Sequence, residues 1–332
     1  MSNGNATMRA AVQEGYGPPE VLHVRDVPRP VPSGKNVLVM VHAASLNALD
    51  AHILHFPFLI RLFFGLRRPK PKGAIRGADL AGVVAEVGPE VTRFRPGDRV
   101  FGSANGTCAE FALAPEDRLV AMRPELSFAQ AAALPVAGLT ALQGLRDKAG
   151  VRAGQRVLIH GAGGGVGTFA VQLARLLGAH VTAVTGPRNL ELVRSLGPDE
   201  LLDYSREDFT HGGSQYDVLF DVAMTRSLGD CLRVLKPRGV LMRIGAPKEG
   251  GFRRVLTSML GSLVRRPFTR RRIPMFIAKP IPADLAFLQQ LVAEGKLTPV
   301  IERHYSLAEV VEAMRYVAAG QARGKLIIET AR

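Results

Sequence analysis

Apolar and polar residues alternate in the first third of the chain with the two-residue period of half-buried strands. Segments 8–17, 21–27 and 36–46 show this alternation most clearly, and Pro and Gly recur between them. Two shorter runs, 82–88 and 97–103, continue the pattern. This part of the chain is therefore predicted to be β-rich.

From about Gly138 onward, apolar strand-like runs alternate with segments of helical period. The predicted helices are 138–150, 167–178, 189–197 and 226–239, and the predicted strands are 156–163, 180–186, 216–223 and 239–246. Beyond them, helices 283–295 and 308–320 alternate with strands 298–307 and 324–329. Strands and helices of these lengths in alternation predict an α/β fold with a doubly wound parallel sheet covered on both faces.

Length, charge and cysteine content narrow the class of protein. A chain of 332 residues predicts one large or two medium domains. Its net charge of +14 fits either a solvated surface or a polyanionic ligand such as a nucleotide, a coenzyme A thioester or nucleic acid. Cys108 and Cys231 are too few for a disulfide framework. With neither a secretory leader nor a long apolar run, we expect a cytoplasmic protein.

The most informative stretch is HGAGGGVGTFAVQLARLLG, residues 160–178. Gly161, Gly164 and Gly167 stand three apart, between a buried strand and an apolar helix. This spacing is the dinucleotide fingerprint, in which backbone N–H groups and the helix N-terminus approach a pyrophosphate. We predict a dinucleotide site here.

The end of the second strand of such a fold contacts the adenosine ribose. No acidic residue for a 2′-hydroxyl stands there; the sequence has Thr185, Gly186 and then Arg188. Small residues followed by arginine make room for a 2′-phosphate, which favours NADPH over NADH. Tyr204, after the next strand, is predicted to cover the adenine side.

Taken together, the motifs resemble those of the medium-chain dehydrogenase/reductase superfamily, and within it the zinc-free quinone oxidoreductase and enoyl reductase-like group. The stretches that carry the resemblance are GYGPPEVL, VHAASLNALDAHI, GADLAGVVAEVGPEVTRFRPGDRVFG, CAEFALAP, AAALPVAGLTALQGL, GAGGGVGTFAVQLARLLGA and ARGKLIIE. The resemblance implies a GroES-like catalytic domain, residues 1–137 completed by 283–332, around a Rossmann domain, residues 138–282. It also implies an active-site cleft between them and a homodimer.

The resemblance further implies residues that contact the cofactor. In and beside the glycine turn these are Gly161, Gly164, Gly165, Val166 and Gly167. Farther along the chain they are Thr185, Gly186, Arg188, Tyr204, Gly245 and Lys325. In the segment FDVAM, Met224 replaces a glycine that is usual in the family, so the cofactor contacts there are open.

Zinc-dependent relatives hold a catalytic zinc at three positions that Asn47, Ala78 and Val136 occupy here. Because these side chains offer neither thiolate nor imidazole, no tetrahedral zinc site is expected. Alcohol oxidation relies on such a Lewis acid, whereas hydride addition to an activated C=C leaves an enolate that hydrogen bonds can stabilise.

Three side chains are candidates for catalysis. Asn47 is expected near the nicotinamide ribose, with a capping role as its alternative. His52 stands where related reductases often carry Tyr, and an imidazole is able to protonate the enolate or to bind its oxygen. Thr140 is predicted to open the helix at the domain junction, close to the nicotinamide. His55 is a weaker substrate candidate, and Asp50 is expected only to orient its loop.

An arginine-rich segment, residues 252–276, interrupts the regular pattern. It is open to three interpretations: a solvated amphipathic cover, a site for the phosphates of a coenzyme A ester, or a surface for an anionic membrane or nucleic acid. Under the second interpretation Arg265, Arg266 and Arg270 are the substrate contacts.

The main hypothesis is a zinc-independent, NADPH-dependent reductase of activated C=C bonds in quinones, enones or α,β-unsaturated acyl thioesters. One alternative is specifically an enoyl-CoA reductase. An alternative of another class is a non-catalytic, crystallin-like protein that binds NADPH or nucleic acid.

Overall fold

A computed structural model describes residues 6–330 of the protein, except 57, 59–60, 63–64, 68, 70–73, 214 and 246–269. The described chain divides into two compact units. The first lies within Met1–Val136, Pro280–Gly295 and Pro299–Arg332, and the second within Ala137–Lys279 and Lys296–Thr298.

The first unit is built on antiparallel strands. In chain order they are β1 (Thr7–Gln13), β2 (Leu22–Pro28), β3 (Asn36–Leu46), β4 (Asp79–Val87), β5 (Arg99–Ser103), β6 (Phe111–Pro115) and β7 (Leu119–Ala121). Strands β1 and β2 form a two-stranded sheet. The other five join the two C-terminal strands in a seven-stranded sheet, with β3 at its centre. Alternate side chains of β3, among them Val37, Val39 and Val41, lie in the apolar core of this unit.

Helix α1 (Ala48–Leu54) follows β3 directly, and α2 (Phe128–Ala133) begins at a Ser127 side chain that accepts the N–H of Gln130. The second unit begins inside α3 (Pro135–Gln143), which continues as one turn of π-helix, Gly144–Ala149. Gly150 ends that turn at φ 68°, where glycine has no Cβ to clash.

The second unit is a five-stranded parallel sheet. Its elements in chain order are β8 (Arg156–His160), α4 (Gly165–Leu176), β9 (His180–Thr185), α5 (Leu190–Ser195), β10 (Glu200–Asp203), β11 (Tyr216–Asp221), α6 (Leu228–Arg233) and β12 (Leu235–Arg243). The strand order is β10-β9-β8-β11-β12. Strands β9 and β10 are thus added on one side of β8, and β11 and β12 on the other. This is the doubly wound arrangement that the alternating sequence pattern predicts, and the α/β fold class is confirmed.

The chain then returns to the first unit through α7 (Pro282–Ala293), β13 (Ile301–Ser306), α8 (Val310–Ala318) and β14 (Lys325–Glu329). Strand β14 pairs antiparallel with β3, with Leu326 opposite Leu46. This pairing brings the last strand of the chain beside the start of α1.

One element prediction was wrong, and one predicted helix begins earlier than expected. The helix predicted over 226–239 ends at Arg233, and β12 begins at Leu235 rather than Gly239. Pro237 removes a backbone donor that a helix interior needs, and the register of β12 shifts at this point. The helix predicted over 138–150 begins at Pro135, since proline fits the first helical position.

Candidate functional site

A buried carboxylate organises the polar centre of the first unit. Asp79, the first residue of β4, has no exposed surface. Its Oδ2 accepts hydrogen bonds from Ser45 Oγ at 2.7 Å and from Asn47 Nδ2 at 2.9 Å. Its Oδ1 accepts the backbone N–H of Val136 at 2.9 Å. With these donors and a lysine, the charge is compensated inside the protein. Sequence analysis missed Asp79, whose only signal is an acid beside the apolar run of β4.

The lysine is Lys325 of β14, which is 1 % exposed. Its Nζ donates to Asn47 Oδ1 at 2.6 Å and Leu46 O at 3.2 Å, and lies 3.4 Å from Asp79 Oδ2. Burial lowers the pKa of the lysine, and the charges of Asp79 and Asp50 oppose that shift. Three acceptors thus face its three N–H donors. A direct contact of Lys325 with a cofactor stays a prediction.

Asn47 and Asp50 fix the start of α1. Asn47 is the N-cap residue, and its backbone N–H donates to Asp50 Oδ2 at 2.8 Å. Asp50 is buried, and burial raises the pKa of its carboxyl to about 6. The nearby Asp79 anion raises that pKa further, whereas the Asn47 N–H, Lys325 and Arg76 lower it. Asp50 therefore orients the backbone that presents Asn47 and, two residues later, His52.

Removal of this carboxyl is expected to change the pH dependence of stability. The pKa of Asp50 is higher in the folded state (about 6) than in the unfolded chain (about 4), so the folded protein binds more protons in that window. Its contribution to the free energy of unfolding therefore falls as the pH rises from about 4 to about 6, by roughly 3 kcal/mol in all. In Asp50→Asn this fall is absent.

Urea unfolding of both proteins at several pH values measures the difference. The stability of Asp50→Asn relative to wild type is expected to increase with pH across that window. A difference that does not vary with pH would show that the carboxyl titrates normally in the folded state.

His52 and His55 lie on the same short helix. His52 is half-buried, and burial together with the neighbouring His55 lowers the pKa of its imidazole. At neutral pH this favours the uncharged ring, which offers an N–H donor to an acceptor. His55 is exposed at the C-terminal end of α1, and its Nδ1 lies 3.3 Å from Ala51 O.

Thr140 lies elsewhere on its helix than predicted. It belongs to the second unit and is the sixth residue of α3, so it does not open the helix. Its proximity to a nicotinamide stays a prediction.

The glycine turn lies between β8 and α4 of the second unit. Gly161 has a φ of 90°, and a Cβ there would lie 3.0 Å from the backbone N of Ala223. At Gly167 a Cβ would lie 2.1 Å from Gly161 O, which brings the first turn of α4 directly against β8. Both positions require glycine for packing within the protein.

Gly164 differs from those two glycines. It is the N-cap residue of α4 at φ −86°, and a Cβ there would meet nothing nearer than Gly161 O at 3.7 Å. No contact within the protein therefore requires glycine at this position. The absence of a side chain is explained instead if the backbone here must approach a ligand closely. Gly165 and Val166 form the first turn of α4, whose N–H groups have no acceptor within the helix.

The end of β9 carries the small residues that were predicted to face the ribose. Thr185 is 3 % exposed, and its carbonyl accepts the N–H of Tyr204 at 3.0 Å. The Tyr204 ring covers Gly186, where a Cβ would lie 2.6 Å from the phenolic oxygen. Arg188 is exposed on the following 3-10 turn, Pro187–Asn189.

Asn189 is a residue at this place that sequence analysis missed. Its side chain packs on Gly163, where a Cβ would lie 2.5 Å from Nδ2. Its Oδ1 is shut off from solvent and accepts no hydrogen bond from the described part of the chain. A buried acceptor without a donor, beside the glycine turn, fits a ligand hydroxyl.

A buried histidine–aspartate pair lies directly before the glycine turn. His160 Nδ1 lies 2.9 Å from Asp221 Oδ1, at the adjacent ends of β8 and β11. The same carboxylate oxygen accepts the N–H of Met224 at 2.8 Å. Met224 has a φ of 51°, the only positive value of a non-glycine residue in the described part of the chain. The turn therefore keeps the backbone conformation that glycine favours although the residue is methionine.

The other cofactor and substrate candidates are placed only in part. Gly245 has a φ of 95°, with only Val222 O within 4 Å of a Cβ there. Arg270 is exposed. Arg271 donates to Leu235 O at 2.8 Å and so ties the chain to β12. Arg265 and Arg266 lie outside the described residues.

The residues at the three zinc positions do not fit the metal. Asn47 already bonds to Asp79 and Lys325, and neither Ala78 nor Val136 has a side-chain donor atom. Within the described ranges there is no group of three His, Cys, Asp or Glu residues that could hold a metal ion. In the same ranges, no helix has the length and apolar character needed to cross a membrane.

Comparison with known proteins identifies the family of this chain. Residues 33–141 match the alcohol dehydrogenase GroES-like domain, and residues 196–328 match the zinc-binding dehydrogenase family. A chloroplastic quinone-oxidoreductase of Triphysaria versicolor is 35 % identical over 97 % of this chain and 98 % of its own length. A chloroplastic NADPH-dependent alkenal/one oxidoreductase of Arabidopsis thaliana is 31 % identical over 97 % of this chain and 79 % of its own.

The solved structure of a quinone oxidoreductase from Coxiella burnetii covers 98 % of this chain and all of its own, with a TM-score of 0.85 and 32 % identity. The resemblance in the glycine turn and the flanking motifs is thus matched over almost the whole length. The chain is an oxidoreductase that belongs to the medium-chain dehydrogenase/reductase superfamily, in its quinone oxidoreductase and enoyl reductase-like group.

Proposed function

We propose that this protein is a zinc-independent, NADPH-dependent reductase of activated C=C bonds in small carbonyl compounds. The observation that carries the proposal is the glycine turn of the second unit, where Gly164 leaves an open approach to the N-terminus of α4. The activities for which the relatives are named, on quinones and on alkenals and alkenones, support the acceptor class.

The residues of the second unit fit a nicotinamide dinucleotide. Backbone N–H groups at the start of α4, with Gly164 and Gly165, would hold the pyrophosphate. Tyr204 over Gly186 offers a flat ring for the adenine, and Asn189 Oδ1 offers an acceptor for a ribose hydroxyl. When bound, the nicotinamide supplies a hydride to the electron-poor β carbon of the acceptor.

Arg188 supports the choice of NADPH over NADH. It follows the small residues Thr185 and Gly186 and is exposed, while no acid stands at the end of β9. A guanidinium recognises the 2′-phosphate by charge-assisted hydrogen bonds. Arg188→Gln is therefore expected to raise the KM for NADPH about 10- to 100-fold, with little change for NADH.

Steady-state kinetics with both cofactors measure this change. Arg194→Gln, which removes an exposed arginine of α5, is the matched control and is expected to leave both KM values unchanged. If Arg188→Gln raises the KM values for NADPH and NADH equally, Arg188 does not bind a 2′-phosphate.

Two residues of the first unit are assigned to the acceptor. Neutral His52 would donate its ring N–H to the carbonyl oxygen, on which enolate charge develops. Asn47 is held rigid by Asp79 and Lys325, and this leaves the second Nδ2–H of its amide for a ligand. Thr140 is kept as a third candidate, near the nicotinamide.

The class of acceptor is tested by NADPH oxidation against a panel: a quinone, a simple enone, and a straight and a branched enoyl-CoA. We expect turnover of the enone and the quinone by metal-free protein. Strong preference for an enoyl-CoA over the matching enone would instead support the enoyl-CoA reductase, with Arg270 and the neighbouring arginines on the phosphates. Tight NADPH binding without turnover of any acceptor would support a crystallin-like binding protein.

The assembly proposed for this function is a homodimer. The parallel sheet has β10 and β12 at its edges. At the β12 edge, Arg272 already pairs with Val240 through a single isolated β-bridge. Light scattering of the purified protein distinguishes a dimer from a monomer.

A further inference from the structure

Four buried polar side-chain atoms without partners lie in one small region of the first unit. They are Gln13 Oε1, Tyr16 OH, Arg76 Nε and Thr107 Oγ1, four of the eight such atoms found among the described residues. Nearly all buried polar atoms in proteins are hydrogen-bonded, so such a concentration requires an explanation. It points to a group that the protein is built to receive.

Three backbone segments hold these side chains together. Gln13 N donates to Ala74 O at 2.8 Å, and Arg76 N donates to Ala11 O at 3.1 Å. Cys108 N in turn donates to Arg76 O at 2.9 Å. Residues 11–13, 74–76 and 108 are therefore neighbours along the backbone, and Thr107 N donates to Gly77 O beside them. Burial lowers the pKa of Arg76 and the charges of Asp50, Cys108 and Tyr16 act against this shift, so these side chains also lie close to its guanidinium.

Arg76 is the charged member of this group. Its residue is 6 % exposed, and its guanidinium has neither a hydrogen bond nor an ion pair with any described residue. Burial lowers the pKa of this guanidinium, while the anion of Asp50 acts in the opposite direction from beyond ion-pair distance. An arginine buried without acceptors costs several kcal/mol unless a ligand supplies them.

Tyr16 adds a second donor to the region. Its hydroxyl is shut off from solvent, and burial raises the pKa of the phenol, so it remains an uncharged O–H donor. The Arg61 guanidinium lies 4.4 Å from the centre of the Tyr16 ring and donates to Phe56 O at 2.5 Å. The positive charges of Arg61 and Arg76 both act to lower the pKa of this phenol, while Asp50, the acid that acts on Arg76, is already engaged by the Asn47 N–H.

We propose that Arg76 and Tyr16 form an anion-binding subsite for a carboxylate carried by the acceptor. A guanidinium receives a carboxylate through two parallel N–H···O bonds, and the phenol O–H completes the set. The acceptor class would thus be an enone or related compound with an acidic side group. This inference rests on the proposed reductase function and gives it a substrate preference.

The test uses enones in which two, three or four methylenes separate a carboxylate from the C=C bond, each compared with its methyl ester. Because the methylenes insulate the reacting carbons, acid and ester have the same intrinsic reactivity. In wild type, at least one acid is expected to show a kcat/KM at least tenfold above that of its ester. Arg76→Gln is expected to abolish this advantage, because the amide carries no charge to receive the carboxylate.

Two further variants keep the test decisive. Tyr16→Phe removes only the hydroxyl and is expected to reduce the ratio of kcat/KM for acid and ester several-fold. This variant tests the subsite even if Arg76→Gln does not fold. Arg95→Gln, an exposed arginine of the same unit, is expected to leave the ratio unchanged. NADPH binding by each variant reports on its fold.

Failure of this inference is distinct from failure of the proposed function. Turnover of the neutral esters establishes the reductase independently of Arg76. If every acid is reduced no better than its ester, or if the advantage survives both Arg76→Gln and Tyr16→Phe, the subsite is excluded. If no ester is reduced at all, the proposed function fails first.

Discussion

Lys325→Met is expected to lower the free energy of unfolding by about 3–5 kcal/mol, the largest loss of stability that a single charge removal in this chain should cause. Lys325 is 1 % exposed and Asp79 has no exposed surface, so the substitution leaves a buried carboxylate without its cation. The methionine matches the length of the lysine stem but does not donate to Asn47 Oδ1 or Leu46 O. Asn47 should then lose its fixed orientation.

Urea unfolding at neutral pH measures this loss. Two further variants show whether the loss comes from the uncompensated buried charge. In Lys325→Met/Asp79→Asn both charges are gone, and at least half of the lost stability is expected to return. Arg315→Met removes the cation of an exposed ion pair with Glu20 and is expected to change stability little. A loss below about 1 kcal/mol for Lys325→Met would contradict a compensated buried pair.

Two glycines of the same turn are expected to respond differently to alanine: one substitution should lower stability, the other only the affinity for the cofactor. Gly167→Ala places a Cβ 2.1 Å from Gly161 O and 2.8 Å from Ala162 Cα, both backbone atoms. The helix must move away from β8, so we expect a loss of about 3 kcal/mol or more and no cofactor binding.

Gly164→Ala has room for its Cβ and an ordinary φ of −86°, so it should fold with nearly unchanged stability. Its affinity for NADPH is nonetheless expected to fall at least tenfold, because the methyl group occupies the approach of the pyrophosphate. Thermal unfolding and fluorescence titration with NADPH measure both quantities. Wild-type affinity in Gly164→Ala would show that the dinucleotide binds elsewhere.

Local patterns were sufficient to predict much of the fold. Strand β3 follows the predicted alternation over residues 36–46, and the glycine turn lies between β8 and α4 as the fingerprint requires. The error at β12 arose where apolar spacing suits a helix but Pro237 prevents one. Tertiary pairing with β11 decides the structure of this segment.

The candidate site was less predictable because its contacts join distant parts of the chain. Asp79 and Lys325 are 246 positions apart and meet only when β14 pairs with β3. Arg76 looks like any other arginine in this basic sequence, and only its burial without acceptors distinguishes it. Met224 replaces the glycine usual in the family, yet the backbone there keeps the glycine-like conformation, held by Asp221.

The proposed reaction is hydride transfer from NADPH to the β carbon of an activated C=C bond. The most direct measurement reduces a neutral enone with NADPH that carries deuterium at C4, on either face, and locates the label in the product by NMR. Hydride transfer to the C=C bond predicts deuterium at the β carbon from one of the two labelled forms, a proton from water at the α carbon, and an intact carbonyl. Deuterium on the carbonyl carbon, or the absence of any reduced product from protein that binds NADPH, would contradict it.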